Sequence, residues 1–262
     1  MIATPRTIVI TGASSGIGEA LAVRYARAGA VLGLVGRDRE RLERVAERCR
    51  AAGSEVHLGL IDVCDRAALA SWLQDLDRSS PVDLLIANAG VMTGVPSGEQ
   101  LEDAEAAYRL MQINVLGMMN TVQPLLPAMV ARGHGQIGIM SSVSALSPLP
   151  DAPSYSASKA AVLSYGIALR DRIYHTGVRV SVLCPGYITS PMTSRLRGWK
   201  PFEMTPEAAA KRLVAGLARE RALVAFPWPL VLLARSSRLL PDKLRRIGMK
   251  PFRHHVTPQG DR

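Results

Sequence analysis

Arg6-Thr7-Ile8-Val9-Ile10-Thr11-Gly12-Ala13-Ser14-Ser15-Gly16-Ile17-Gly18 decides the fold. Residues 6–10 form a short β-branched run, and glycines then interrupt it at 12, 16 and 18. An amphipathic helix is expected over about 17–28, closed by Gly29 as a C-terminal cap. A strand that passes through a glycine turn into a helix N-terminus makes an anion site. Its backbone N–H groups point outward, the helix dipole favours negative charge, and the missing Cβ atoms let a pyrophosphate come close. The residues expected to make that cradle are Gly12, Ser14, Ser15, Gly16, Ile17 and Gly18.

The alternation continues outward from this stretch. Residues 31–35, 56–61 and 82–87 read as strands; 38–52 and 65–77 read as helices. Strands alternating with helices of this length imply a parallel sheet covered on both faces, a doubly wound α/β domain. Such sheets bind ligands at the carboxyl ends of their strands. Gly12, Gly36-Arg37, Asp62, Asn88-Ala89-Gly90, Ser141-Ser142 and Pro185-Gly186 are therefore expected to line one cleft. At the end of the second strand an acidic residue would bond an adenosine ribose. This chain has Arg37 there, and a guanidinium can bind a 2′-phosphate bidentately where a carboxylate would repel it. NADP(H) is therefore favoured over NAD(H), while Arg39 and Arg41 read as the solvated face of the next helix. Asp62-Val63 meets the adenine edge, or Asp62 caps the following helix.

A second stretch carries proton-transfer chemistry: Tyr155-Ser156-Ala157-Ser158-Lys159. Tyr155 and Lys159 are four residues apart in an expected helix and share one face. An ammonium beside a phenol favours the phenolate, which would lower the tyrosine pKa toward the working range of a proton donor and acceptor. Ser142 ends the apolar run Ile137-Gly138-Ile139-Met140, an expected buried strand. Asn114 lies among apolar residues in a long helical pattern, 99–131, broken by Gly117, Pro124 and Pro127. Its amide needs partners there: the helix backbone at a local distortion, a relay water next to Lys159, or both. Only five of the 32 basic residues are lysine, and Lys159 is the first of them.

With these motifs in order over roughly residues 6–192, the sequence resembles the short-chain dehydrogenase/reductase family. The resemblance implies a Rossmann-like nicotinamide-dependent oxidoreductase that interconverts a ketone or aldehyde and an alcohol. Tyr155 would be the general acid and base, and Ser142 would bond the substrate oxygen. Lys159 would hold the nicotinamide ribose, and Asn114 would complete the relay. Asn88, Ala89, Gly90, Pro185, Gly186 and Ile188 would contact the cofactor. Ser190 stands where the family often has a threonine against the nicotinamide amide, with Thr189 as the alternative. The ending departs from the Asp-Gly-Gly tail of many tetrameric members, so a homodimer through the helices after Glu99 and Tyr155 is expected.

Composition bounds the rest. The chain has 262 residues, 48% apolar and 21% charged, which suits one globular domain with a sizeable core. Residues 1–226 are expected to form the catalytic unit, with a substrate lid near 191–205, and 227–262 an apolar-basic helical extension. Three widely spaced cysteines read as reduced thiols in a cytoplasmic protein. The histidines show no metal-ligand spacing, and His254-His255 reads as solvated. No signal peptide is expected, and the longest apolar run, 222–234, falls short of the roughly 20 residues that a membrane span needs. The net charge is +10, but aromatics are only 5%, which argues against nucleic-acid binding. Eight Arg and Lys against two Asp fall within 234–262. There Leu232, Leu233, Leu239, Leu240, Leu244 and Ile247 give an apolar face, with Arg235, Arg238, Lys243, Arg245 and Arg246 on another. Such a face docks on the domain or meets a membrane at its periphery. Two rival readings are a cofactor-binding sensor or scaffold, and a peripheral membrane protein acting through its tail.

Overall fold

The structure is a computed structural model that describes residues 4–237 and 239–256. Among them, β1 (Thr7–Thr11), β2 (Val31–Gly36), β3 (Glu55–Leu60), β4 (Leu84–Ala87), β5 (Gly135–Met140) and β6 (Val178–Pro185) join in one sheet. Two later pieces, β7 (Leu196–Arg197) and β9 (His255–Val256), pair antiparallel outside it, while β8 (Leu223–Phe226) completes the sheet. The order is β3-β2-β1-β4-β5-β6-β8, every pairing parallel. The direction of winding reverses between β1 and β4, so the crevice at their carboxyl ends is where a ligand is expected.

Strand side chains alternate between two cores, as the period of two requires. Ile8 and Ile10 of β1 join Leu21, Leu34, Leu42 and Leu213 on one side. Val9 joins Val35, Leu73, Ile137 and Val162 on the other. The first side is covered by α1 (Gly16–Tyr25), α2 (Arg39–Ala51) and α8 (Pro206–Ala218). The second is covered by α3 (Arg66–Ser79) and α7 (Pro153–Ile173), with α4 (Ala104–Met111), α5 (Gly117–Val122) and α6 (Leu126–Ala131). Side-chain oxygens of Asp38, Asp65, Asp103 and Thr205 accept from backbone N–H groups at the starts of α2, α3, α4 and α8. Each such cap contributes about 1 kcal/mol.

One boundary is corrected here, and one expected break is sharpened. Helix α1 ends at Tyr25, three residues early; Gly18, Leu21, Ala22 and Tyr25 are buried together with Ala20, while Arg24 is exposed. The long pattern at 99–131 is three helices and a π-turn, Gln112–Leu116. The π-turn meets α5 at Gly117, where a Cβ would lie 2.6 Å from Val63 Cγ2. Glycine lets the chain pass that close, and the α-helical register gives way there.

After β8, α9 (Trp228–Ser237) packs back on the domain through Leu230 and Ala234, which meet Val143, Leu146 and Phe252. Helix α10 (Asp242–Met249) follows, and β9 then pairs with β7.

Candidate active site

All six of the polar or glycine-bearing strand ends picked out above line one cleft of about 540 Å³. Its floor is shaped by glycines that tolerate no side chain. Gly12 has φ +66°, and a Cβ there would lie 2.8 Å from Ala89 Cα. A Cβ on Gly18 would lie 2.1 Å from the Gly12 carbonyl oxygen, so Gly18 stands behind the turn and supports it; it does not line the cleft. Ser15 is the N-cap of α1, yet its side chain makes no cap bond, which leaves the first-turn N–H groups directed at the cleft. Ser14, Gly16, Ile17, Val63, Ala89, Gly90, Pro185, Ile188 and Ser190 also border the cleft. The Asn88 amide turns away from it, donating to the carbonyls of Thr11 at 2.9 Å and Gly12 at 3.2 Å. Thr11 Oγ1 in turn accepts from the N–H groups of Asn88 and Ala89. Asn88 thus ties β4 to the glycine turn, a role that its motif alone did not disclose.

At the end of β2, Arg37 pairs with Asp62 at 3.3 Å, and Arg109 of α4 reaches the same oxygen at 2.8 Å. The other Asp62 oxygen accepts from the Cys64 N–H at 2.9 Å. Burial pushes the Asp62 carboxyl up, but the Cys64 bonds and the two guanidinium groups outweigh it and hold it below the usual range. The cap of α3 is Asp65, not Asp62. Arg41, read above as solvated, also borders the cleft, next to Asp38. Arg39 is exposed and does not border it.

The proton-transfer stretch is knitted to the end of β5. Pro153 opens α7 where its missing N–H costs nothing. Ser141 Oγ donates to the Lys159 carbonyl at 2.8 Å, and Lys159 Nζ donates to the Met140 carbonyl at 3.0 Å. Ser142 Oγ accepts from the Ser144 N–H at 3.1 Å, and Ser142 lines the same two cavities as Tyr155. Lys159 Nζ stands 5.9 Å from the centre of the Tyr155 ring.

Asn114 sits within the π-turn, only 1% exposed. Its amide does not serve its own helix. Oδ1 accepts from Val91 N at 2.8 Å, while Nδ2 donates to the Val91 carbonyl at 2.9 Å and to Ser158 Oγ at 3.0 Å. It lies behind the cleft wall and does not line it. A Cβ on Gly90 would fall 3.1 Å from Asn114 Oδ1 and 3.3 Å from Lys159 Nζ, so Gly90 leaves room for both.

The expected lowering of the Tyr155 pKa is not found. Burial pushes the phenol up, against the Ser142 hydrogen bond, which lowers it. Burial likewise pushes the Lys159 ammonium down, to about 8. Desolvation dominates at both groups, and Tyr155 is held in its protonated form.

Beside Ser142 and Tyr155 opens a second cavity of about 120 Å³, walled by Met92, Val143, Leu149, Leu196, Leu230 and Phe252. The C-terminal extension supplies much of that wall, so it docks on the domain. The residues that dock are Leu230, Ala234 and Phe252; Leu232, Leu239, Leu244 and Ile247 of the expected apolar face stay exposed. Arg238 lies outside the described residues. His254, read above as solvated, is 2% exposed. Its ring bonds the Trp199 carbonyl at 2.9 Å and stacks on Tyr187 at 5.5 Å, and its N–H donates to Asp151 at 2.8 Å. Ser190 exchanges hydrogen bonds with Thr193, which borders both cavities, whereas Thr189 is exposed. Tyr187, Thr193 and Phe252 had no motif that singled them out, and Thr11, Ser141 and Ser158 stood in the quoted stretches without a role of their own. The nearest signal was the density of hydroxyls around the quoted stretches.

A family model described as short chain dehydrogenase matches residues 6–201. The chain belongs to the short chain dehydrogenase family. An uncharacterized oxidoreductase of Myxococcus xanthus is 34% identical to this dehydrogenase, over 91% of this chain and 94% of that one. The 17-beta-hydroxysteroid dehydrogenase 13 of Mus musculus is 29% identical, over 86% and 74%. A solved short-chain dehydrogenase from Sphingobium yanoikuyae in complex with NADPH superposes with a TM-score of 0.77, 29% identity and coverage of 97% and 98%. A mycobacterial neighbour at 25% identity is bound to NAD. This dehydrogenase is an NAD(P)-dependent oxidoreductase of alcohol and carbonyl groups. The glycine cradle and the uncapped start of α1 fit such a dinucleotide.

Proposed function

We propose that this dehydrogenase reduces a ketone or aldehyde carried on an apolar skeleton, using NADPH, and runs the reverse oxidation through the same groups. One observation carries the reading: Ser142 and Tyr155 border both the dinucleotide cleft and the apolar cavity. A carbonyl seated in that cavity meets both hydroxyls at the seam. When bound, the cofactor supplies the hydride. Ser142 donates to the substrate oxygen and fixes its position. Tyr155, held protonated by burial, gives its proton to that oxygen as negative charge develops there. Lys159 presents an ammonium at the same wall and is the nearest source from which the tyrosine can be reprotonated. Asn114 holds Val91 and Ser158, and through them the wall behind Lys159.

The preference for NADPH is supported by Arg37 and Arg41 at the end of β2. Two carboxylates stand near them: Asp38 is engaged by the start of α2 and by Arg41 at 3.1 Å, and Asp62 is shared between Arg37 and Arg109. A homodimer is supported by Tyr108 (70% exposed), Leu116 (54%) and Ile167 (45%), apolar side chains on the helices after Glu99 and Tyr155. The purified protein should consume NADPH with some member of a panel of long-chain and cyclic ketones. Tyr155→Phe should cut that turnover by roughly 10²–10⁴-fold and leave NADPH binding intact. Wild-type turnover by Tyr155→Phe on the best substrate would refute the reading.

A further inference from the structure

We infer that the surface around the mouth of the apolar cavity rests on an anionic lipid bilayer. The inner wall of the cavity holds Val143, Leu230, Ala234 and Phe252, all buried. Its outer wall is made by Leu233, Leu240, Arg245 and Gly248, and the two leucines are 49% and 45% exposed. The mouth therefore opens between α9 and α10.

The faces that flank this mouth are unusual for a soluble surface. Helix α9 spends Leu230, Ala234 and Ser237 on the domain, and its opposite face presents Trp228 and Leu232, 74% and 60% exposed. On α10, Leu244 and Ile247 are three residues apart on one face and likewise exposed, 53% and 60%. Leu239, between the helices, is the most exposed of all at 86%. Isolated exposed leucines are ordinary, but these five large apolar groups on and between two adjoining short helices make a patch that calls for a partner.

Charge selects the partner. Arg235, Lys243 and Arg246 are exposed on the same two helices, and Arg245 stands at the mouth itself. From 234 to 262 basic residues outnumber acidic ones eight to two. Apolar side chains ringed by cations suit the boundary between headgroups and acyl chains, where burial and attraction to anionic lipid act together. No described helix is long and apolar enough to cross a membrane, so the contact is peripheral. Entry of an apolar substrate straight from the bilayer rests on the function proposed above; the lipid contact does not.

The test is flotation of the full-length protein, NADPH present, with vesicles of phosphatidylcholine alone or mixed with phosphatidylglycerol. The protein should float with the mixed vesicles and not with the neutral ones, and release as salt rises. The triple variant Leu232→Ser, Leu244→Ser, Ile247→Ser should lose flotation yet keep its NADPH binding and its turnover of a small water-soluble ketone. The double variant Lys243→Gln, Arg246→Gln should bind roughly fivefold more weakly per charge removed. Absence of flotation, equal flotation with neutral vesicles, or wild-type flotation by the triple variant would each overturn the inference. A change in sedimentation of the triple variant without any vesicle binding would assign the patch to a second copy of this chain instead. Because flotation needs no turnover, lipid contact and enzymatic reading fail separately.

Discussion

Replacing Asn114 with alanine tests whether this amide holds the site together. The side chain is 1% exposed and makes three hydrogen bonds, at 2.8, 2.9 and 3.0 Å, to the Val91 N–H, the Val91 carbonyl and Ser158 Oγ. Asn114→Ala removes all three and leaves both backbone groups of Val91 without their partner. An unsatisfied buried group costs about 1–3 kcal/mol. Val91 is only half-buried, so water recovers part of this, and a total near 2–3 kcal/mol is expected. For a chain of this size each kcal/mol lowers the melting temperature by roughly 2–4 °C, so a fall of roughly 4–12 °C follows. Val91 adjoins Gly90 on the cleft wall, so NADPH binding should weaken in the same variant, and added NADPH should restore less stability than it gives the wild type. Calorimetry with and without NADPH reads both effects. Melting within about 1 °C of wild type would show that the amide carries little structure, and any loss of turnover would then have to come from a water relay.

Arg37→Asp should weaken NADPH binding far more than NADH binding, measured by titration of intrinsic fluorescence; equal losses would remove the basis for the NADP preference. Reductive turnover should fall as the pH rises through about 8, where Lys159 loses its proton. Tyr155, raised by burial, keeps its own proton to higher pH. A rate that stays level into the ordinary lysine range would show that the ammonium takes no part. Phe252→Ala enlarges the apolar cavity, so KM should drop for bulkier ketones and rise for small ones; an unchanged preference would place the substrate elsewhere.

The nucleotide half of the site was legible because its physics is local. Glycine at 12 and 16, a strand before them and a helix after them suffice to specify the cradle, and the same holds for the four-residue spacing of Tyr155 and Lys159. What escaped was long-range. The partners of Asn114 and Asn88 lie 23 and 77 residues away, and nothing in their neighbourhoods names Val91 or Thr11. The sign of the Tyr155 shift escaped for a related reason. A lysine four residues on is visible in spacing, whereas the burial that sets the shift depends on the whole fold. His254 was misjudged on position alone: a polar residue near the end of a basic tail reads as solvated until β9 is seen to pair with β7.

That pairing sets an order of events for a chain emerging from the ribosome. Every residue bordering the dinucleotide cleft lies before position 194, whereas the apolar cavity needs Leu230, Leu240 and Phe252. A partly synthesised chain can close its nucleotide crevice with no wall yet standing beside Tyr155. The strand at His255–Val256 is made after all of these and pairs with Leu196–Arg197, so occupancy by dinucleotide can precede competence for substrate during biosynthesis.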